Sequence, residues 1–308
     1  MREQGRRDAV TQTMLEVRNL VKHYDGFTAV DDLSFELYEG EVFGLLGPNG
    51  AGKTTTIRTV MDIFKPDEGT VYVLGQPPGT TRERIGYLPE ERGLYRNLKV
   101  LGVLIYLAEL KGEPRSTARQ RALNWLERVE LADWADRKVK DLSQGMQQKL
   151  QFVASLVHDP ELLILDEPFQ GLDPVNVELL KGLIRELQGE GKTVMLSAHQ
   201  MNLVEALCDR IVLINQGKAV LYGPLDEIKR HHAPHAVRLR TPAALEALPG
   251  VAQVEQRDDT FTLTLEGITP QELLRTLVER NVPVEAFEVA TVPLEEIFIA
   301  VVKEGGHA

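Results

Sequence analysis

An α/β fold organised around a phosphate-binding loop is expected from three observations. Gly47-Pro48-Asn49-Gly50-Ala51-Gly52-Lys53-Thr54 has the spacing G-x-x-x-x-G-K-[ST] and follows the apolar run Val42 to Leu46. A second apolar run, Leu162 to Leu165, delivers the acids Asp166 and Glu167 at its end, where ligands collect in parallel sheets. Between and after these runs, strand-like segments alternate with helix-like ones, the pattern of an α/β sheet.

In chain order, residues 1–13 are polar, include Arg2, Arg6 and Arg7, and lack the apolar centre of a secretory signal. They are expected to form a disordered leader. Met14 to Val21 and Ala29 to Glu36 alternate as strands. Tyr38-Glu39-Gly40-Glu41 then turns the chain into the strand before the loop. Further strands are expected at Thr70 to Leu74, Leu162 to Leu165, Thr193 to Leu196 and Ile211 to Ile214. From Leu98 to Lys140 the periodicity is helical throughout, which places an inserted helical subdomain at about 97–145.

The pattern changes after Gly217. Lys229 to Pro234, with His231, His232 and His235, reads as a linker of solvated histidines into a second unit. That unit is expected to be a small α+β layer over 231–308. Its strands fall at Ala236 to Leu239, Val251 to Gln256, Thr260 to Leu265 and Val284 to Val289. Thr269 caps a helix with Pro270 at its first position and a stripe of Leu273, Leu274, Leu277 and Val278. A last helix from Pro293 buries Leu294, Ile297, Phe298 and Val301. No acids, bases or glycine loop converge there, so the unit reads as regulatory or dimerising, with Leu273, Leu277, Ile297 and Phe298 shared between its own core and a neighbouring chain.

The chemistry belongs to the first unit. A buried strand, a glycine-rich loop and the helix opened by Thr55, Thr56 and Ile57 aim backbone N–H groups at one anion. Gly47, Gly50 and Gly52 admit backbone approaches that a Cβ would block. The loop is expected to hold a triphosphate, with Lys53 reaching the β- and γ-phosphates and the Thr54 hydroxyl on Mg²⁺. Asp166 is the second metal-holding residue, and Glu167 polarises the attacking water.

Composition narrows the function classes. Net charge is −11 and pI about 5.2, which argues against a broad grip on nucleic acid. The single cysteine, Cys208, sits among apolar neighbours and reads as a packed thiol in a reducing compartment. No apolar run reaches the ~18 residues of a membrane-spanning helix. A guanine-reading [NT]-K-x-D motif is absent.

Asp141-Leu142-Ser143-Gln144-Gly145-Met146 lies just upstream of the acid-bearing strand, and Gly171-Leu172-Asp173 and His199 follow it. The order phosphate loop, helical insert, Leu-Ser-x-Gly, Asp-Glu, Gly-Leu-Asp and His resembles the ATP-binding cassette (ABC) ATPase family over residues 14–230. The resemblance implies a P-loop NTPase of ABC type, with a mixed sheet core, an antiparallel β subdomain and the helical subdomain. It implies ATP and Mg²⁺ as ligands, Tyr24 stacking on adenine, and Lys53, Glu167 and His199 in catalysis. His199 contacts the γ-phosphate on this reading. Ser143 and Gly145 bind the nucleotide of an opposite protomer, and Asp173 bridges the seam.

Two positions depart from the family's pattern. Glu90 stands where glutamine is usual after Tyr87-Leu88-Pro89, and Gln144 and Met146 stand where glycine and glutamine are common. A carboxylate at 90 either ligates Mg²⁺ directly or repels the γ-phosphate, so its metal contact is expected to differ from that of the amide, with Arg92 offsetting its charge.

The ending Pro293-Leu-Glu-Glu-Ile-Phe298 is similar to the small domain appended to sodium-export and drug-export ATP-binding subunits. The expected function is therefore an ATPase subunit that dimerises on ATP, with a second copy or a paralogous ATPase. It is expected to power a separately encoded membrane permease of an export system from the cytoplasmic face of the membrane. The alternative is a soluble ABC ATPase in translation, repair or regulation. Such proteins generally carry paired cassettes, long coiled-coil inserts or zinc cysteines, none of which occurs here.

Overall fold

The structure, a computed structural model, describes residues 12–305 except 92, 233, 234, 244, 246 and 291. Most of the expected leader, 1–11, lies outside the described residues, and Thr13 already belongs to the first strand. The chain divides into two compact units between Leu225 and Asp226.

In the first unit, β1 (Thr13–Tyr24) and β2 (Phe27–Tyr38) form a long antiparallel ribbon. β3 (Val42–Leu46) leads into the phosphate loop and α1 (Lys53–Val60). β4 (Glu68–Val73) joins the ribbon to give a three-stranded antiparallel sheet of order β2-β1-β4. β5 (Ile85–Leu88) precedes the helical insert of α2 (Val100–Leu110) and α3 (Arg115–Arg128), and α4 (Gln144–Leu156) follows. Next come β6 (Leu162–Asp166), α5 (Pro174–Gly189), β7 (Thr193–Ala198), α6 (Met201–Leu207), β8 (Arg210–Asn215) and β9 (Lys218–Pro224).

The central sheet has the order β5-β6-β7-β3-β8-β9, parallel except for β9. β3, β6 and β7 are buried at every residue, which is why they read as unbroken apolar runs and not as alternating ones. A shared core joins this sheet to the antiparallel one. Phe35 of β2 stacks on Phe43 of β3, ring centroids 5.3 Å apart, and Ile57 and Val60 of α1 pack into the same cluster. β5 and β9 were not expected. β5 is four residues long and contains Gly86, where a Cβ would sit 2.1 Å from the Ser155 carbonyl oxygen. Close packing on α4, which no periodicity encodes, fixes that strand.

The second unit orders β10 (Ala236–Arg240), β11 (Val251–Arg257), β12 (Thr260–Leu265) and β13 (Ala286–Val289) as the antiparallel sheet β11-β12-β10-β13. α8 (Pro270–Glu279) lies between β12 and β13 in sequence, and α9 (Leu294–Gly305) ends the described chain. Thr269 and Glu272 form a full capping box at α8. Leu273 and Leu277 are wholly buried with Val237, Leu239, Phe261 and Leu263.

Two expectations for this unit are corrected. Of the four residues expected to be shared with a neighbouring chain, Leu273, Leu277 and Ile297 are too buried for it and Phe298 is half-buried, while Leu274 and Val278 on α8 are exposed. The expected linker is largely helical, since Lys229 to His232 form the last turn of α7 (Leu225–His232). Asp226 and Glu227 in its first turn and four basic residues in its last suit the helix dipole. Residues 233 and 234 lie outside the described residues.

The start of β3, opposite the phosphate loop, is fixed by buried polar bonds. Val42 N donates to Asp209 Oδ2 at 2.8 Å, and Tyr38 N donates to Glu41 Oε1 at 2.7 Å. Burial pushes the Glu41 carboxyl up to about 7, outweighing the Tyr38 N–H and the Arg210 guanidinium, whose Nε lies 3.7 Å away. A raised carboxyl pKa contributes stability that is complete below the unfolded value and lost as pH rises through the folded one. The linkage amounts to at most about 3 kcal/mol. Urea unfolding of wild type and Glu41→Gln should therefore give a stability difference that moves against wild type between about pH 5 and about pH 8. A difference independent of pH would show that Glu41 is ionised throughout.

Candidate active site

The loop 47–54 crosses from β3 to α1 at the carboxyl end of the central sheet. Its glycines serve two distinct purposes. A Cβ at Gly47 would meet the Ile214 carbonyl oxygen at 2.3 Å, and one at Gly52 the Ala29 carbonyl oxygen at 2.5 Å. Both glycines thus let the loop pack on its own protein. Gly50 has open space around it and is required by its φ of +79°. The Lys53 ammonium is buried and donates to Gly47 O at 2.8 Å and Pro48 O at 3.3 Å.

β6 brings the two acids to this loop. Glu167 Oε1 lies 3.5 Å from Lys53 Nζ, and Glu167 Oε2 lies 2.9 Å from His199 Nδ1. Glu167 holds this place with a left-handed φ of +51°, a backbone cost that marks functional sites when the surroundings enforce it. Here the enforcing group is Ser197 of β7. Its Oγ accepts from Glu167 N at 2.9 Å and donates to Asp166 Oδ1 at 2.5 Å. One buried hydroxyl thereby sets both acids.

Asp166 is fully buried, and burial raises its pKa, helped by the charges of Glu90 and Glu167 and opposed by the Ser197 and Thr54 hydroxyls. Its Oδ2 has no hydrogen-bond partner. Thr54 Oγ1 lies 3.4 Å from Glu90 Oε2. A buried orphan oxygen, a hydroxyl and a nearby carboxylate make an all-oxygen set that fits Mg²⁺. Among the described residues no three His, Cys, Asp or Glu converge as a cage, and Mg²⁺ needs none, because it takes one or two carboxylates plus phosphate oxygens and water. Arg92, expected to offset Glu90, lies outside the described residues.

A cleft of about 300 Å³ runs over these groups, lined by Asn49 to Thr55, Glu90, Glu167, Tyr24, Phe27 and Ala29. Of the expected site residues, Tyr24, Asn49, Gly50, Ala51, Gly52, Lys53, Thr54, Thr55, Glu90 and Glu167 line this cleft, His199 bonds to Glu167, and Asp166 is tied to Glu167 through Ser197. Ser143, Gly145 and Asp173 do not line it. Ser143 caps α4 by accepting from Met146 N at 3.3 Å, and Asp173 caps α5 by accepting from Asn176 N at 3.0 Å. Gly145 lies beside Leu172, so these three residues share a different surface of the same chain.

Ser197 and Phe27 were not foreseen. A serine inside an all-buried strand is an indicator of a buried bond, but sequence alone does not name its partner. Ser197→Ala leaves the Glu167 N–H and the Asp166 carboxylate each short of a partner, a loss of about 2 kcal/mol or roughly thirtyfold in turnover. The lost hydroxyl holds the Asp166 carboxyl down, so the acid limb of the pH–rate profile should move to higher pH. Ser197→Thr should restore both. A profile unmoved in Ser197→Ala would reduce Ser197 to a packing residue.

The motifs and this geometry have parallels among known proteins. Residues 30–170 match the ABC transporter family, and residues 223–302 match the C-terminal domain of DrrA1-3-like ATP-binding proteins. The ABC transporter ATP-binding protein YhaQ of Bacillus subtilis is 40% identical over 93% of this chain and 97% of its own. The daunorubicin/doxorubicin resistance ATP-binding protein DrrA of Streptomyces peucetius is 34% identical over 93% of this chain and 91% of its own. Among solved structures, an ATP-binding subunit of an ABC transporter superposes with a TM-score of 0.67 at 32% identity, covering 71% of this chain and 93% of that one. A dimeric cassette, MJ0796, in a post-hydrolysis state with ADP and phosphate superposes with a TM-score of 0.64 at 26% identity, covering 69% and 99%. The chain therefore belongs to the ATP-binding proteins of ABC transporters, ATPases that use Mg²⁺, and carries a DrrA-type C-terminal domain.

Proposed function

We propose that the cleft holds ATP with its phosphates on the loop 47–54 and that Glu167 orients the water that attacks the γ-phosphate. The observation that supports this most is the carboxylate of Glu167 held between Lys53 Nζ at 3.5 Å and His199 Nδ1 at 2.9 Å. Lys53 turns from the loop carbonyls to the β- and γ-phosphates. His199 then keeps Glu167 aimed at the water and contacts the γ-phosphate. Asp166, Thr54 and Glu90 are the residues that would hold Mg²⁺, which when bound neutralises charge on the β- and γ-oxygens. Phosphoryl transfer of this kind rests on positioning and charge, so no covalent step on the protein is needed.

Ser143, Gly145 and Asp173 lie away from their own cleft, and we assign them to the nucleotide of a second protomer. The N-terminus of α4, with its exposed Ser143, suits an anion. Dimerisation on ATP then completes each site with residues from both chains. MJ0796 is dimeric in its ADP- and phosphate-bound structure, which supports this reading.

The described chain has no helix long and apolar enough to cross a membrane. Relatives include a Nod factor export ATP-binding protein of Ralstonia nicotianae, 39% identical over 71% of this chain and 69% of its own. Together with the resistance protein DrrA, this supports an export system in which the chain works at the cytoplasmic face beneath a separate permease. An apolar groove of about 320 Å³, lined by Met61, Tyr87, Leu94, Leu107 and Gln151, is assigned to a cytoplasmic segment of that permease. Gln151 Nε2 donates to Glu91 O at 3.2 Å, so a segment seated there presses next to Glu90.

Glu167→Gln should bind ATP with near wild-type affinity, hydrolyse it at least about a hundredfold more slowly, and elute as a dimer when ATP is present. Turnover at the wild-type rate would remove Glu167 from the chemistry. Lys53→Ala should instead weaken binding itself, measured with a fluorescent ATP analogue. If its affinity matches wild type, the triphosphate does not lie on this loop.

A further inference from the structure

Tyr24 and Phe27 are direct cross-strand partners on either side of the two-residue turn Asp25-Gly26 between β1 and β2. Partners in that relation project from the same face of a ribbon with Cβ atoms about 5 Å apart. Both rings border the cleft that ends on the phosphate loop. Both are exposed, Tyr24 to 42% and Phe27 to 60%. Their surroundings differ. Tyr24 is braced edge-to-face by Phe64 at 6.0 Å, and the Lys22 ammonium lies 5.9 Å from its ring centroid. Phe27 has no ring or cation partner among the described residues.

A phenylalanine 60% exposed at a polar cleft is an apolar surface without a ring or cation partner among the described residues. Two exposed rings bordering one cleft suit a flat aromatic ligand. Ala29 and the phosphate loop line the same cleft, so its lining combines two aromatic rings with anion-binding groups.

We propose that Phe27 is a second nucleobase-contacting residue, which together with Tyr24 forms a two-ring seat for the base of the bound nucleotide. The inference rests on the cleft being the nucleotide site. Tyr24, held by Phe64, is the fixed wall. Phe27, unbraced in the free protein, closes on the base and loses its water-exposed area when nucleotide binds. Phosphate affinity belongs to Lys53 and the loop amides and is independent of either ring.

Calorimetric titration of the full chain with MgATP and with magnesium tripolyphosphate separates base binding from phosphate binding. A base on an aromatic side chain contributes about 1–3 kcal/mol, so Phe27→Ala should bind ATP roughly tenfold more weakly. Tripolyphosphate affinity should stay within about twofold, and Phe27→Tyr should restore ATP binding. Phe27→Trp provides a direct reporter, whose emission should change on adding ATP and not on adding tripolyphosphate. Unchanged ATP affinity in Phe27→Ala overturns the proposal. So does a parallel loss of both ligands, which would make Phe27 a support for the loop. Failure of the wild-type chain to bind either ligand would instead overturn the cleft as a nucleotide site, a result distinct from both.

Discussion

Two carboxylates at consecutive positions on the end of a buried strand are the constraint on which the rest of this site depends. Asp166 and Glu167 sit where burial penalises their charge, and the Asp166 carboxyl is raised by burial and by the charges of Glu90 and Glu167. Lys53 is the ammonium beside them, 3.5 Å from Glu167. Among the described residues, this one ammonium against the acids leaves negative charge that a triphosphate would only increase. The arrangement becomes stable with its substrate when a divalent cation enters, which is the physical reason that the loop, the acids and the orphaned Asp166 Oδ2 occur together.

The fold supplies the precision this requires. β3, β6 and β7 are adjacent and parallel, so the phosphate loop, the acids and the Ser197–His199 segment all emerge at one end of the sheet. Ser197 ties β7 to β6 by two short bonds. Gln148 of α4 donates to Pro168 O at 3.0 Å, so the helix capped by Ser143 is bonded to the turn that follows the acids. Any shift of Glu167 on loss of the γ-phosphate has a bonded route to the Ser143 surface. The second unit has its own apolar core around Leu263, Leu273 and Leu277.

Much of this was legible in the sequence because the chemistry is local. A phosphate loop needs glycines at fixed spacing before Lys53, and a pair of acids after four apolar residues is a short string. Strands buried on both faces were equally legible as apolar runs. What escaped depends on contacts between distant segments. β5 is held by Gly86 packing on α4, and Ser197 acts through bonds to residues thirty positions earlier in the chain. The purpose of Gly47 and Gly52 is likewise tertiary, because the atoms they avoid belong to Ile214 and Ala29. α7 was read as a linker because its histidines and charges hide an amphipathic turn. The apolar stripe of α8 was legible as a helix face, but burial of Leu273 and exposure of Val278 depend on where the sheet edge falls.

Asp166, through its unpartnered Oδ2, is the residue proposed to hold the divalent cation that makes the acid pair compatible with a triphosphate. Mn²⁺ binding, followed by electron paramagnetic resonance in the presence of a non-hydrolysable ATP analogue, measures this directly. Asp166→Asn should bind Mn²⁺ at least about tenfold more weakly than wild type while the analogue alone still binds. Equal Mn²⁺ affinity in the two proteins would contradict it.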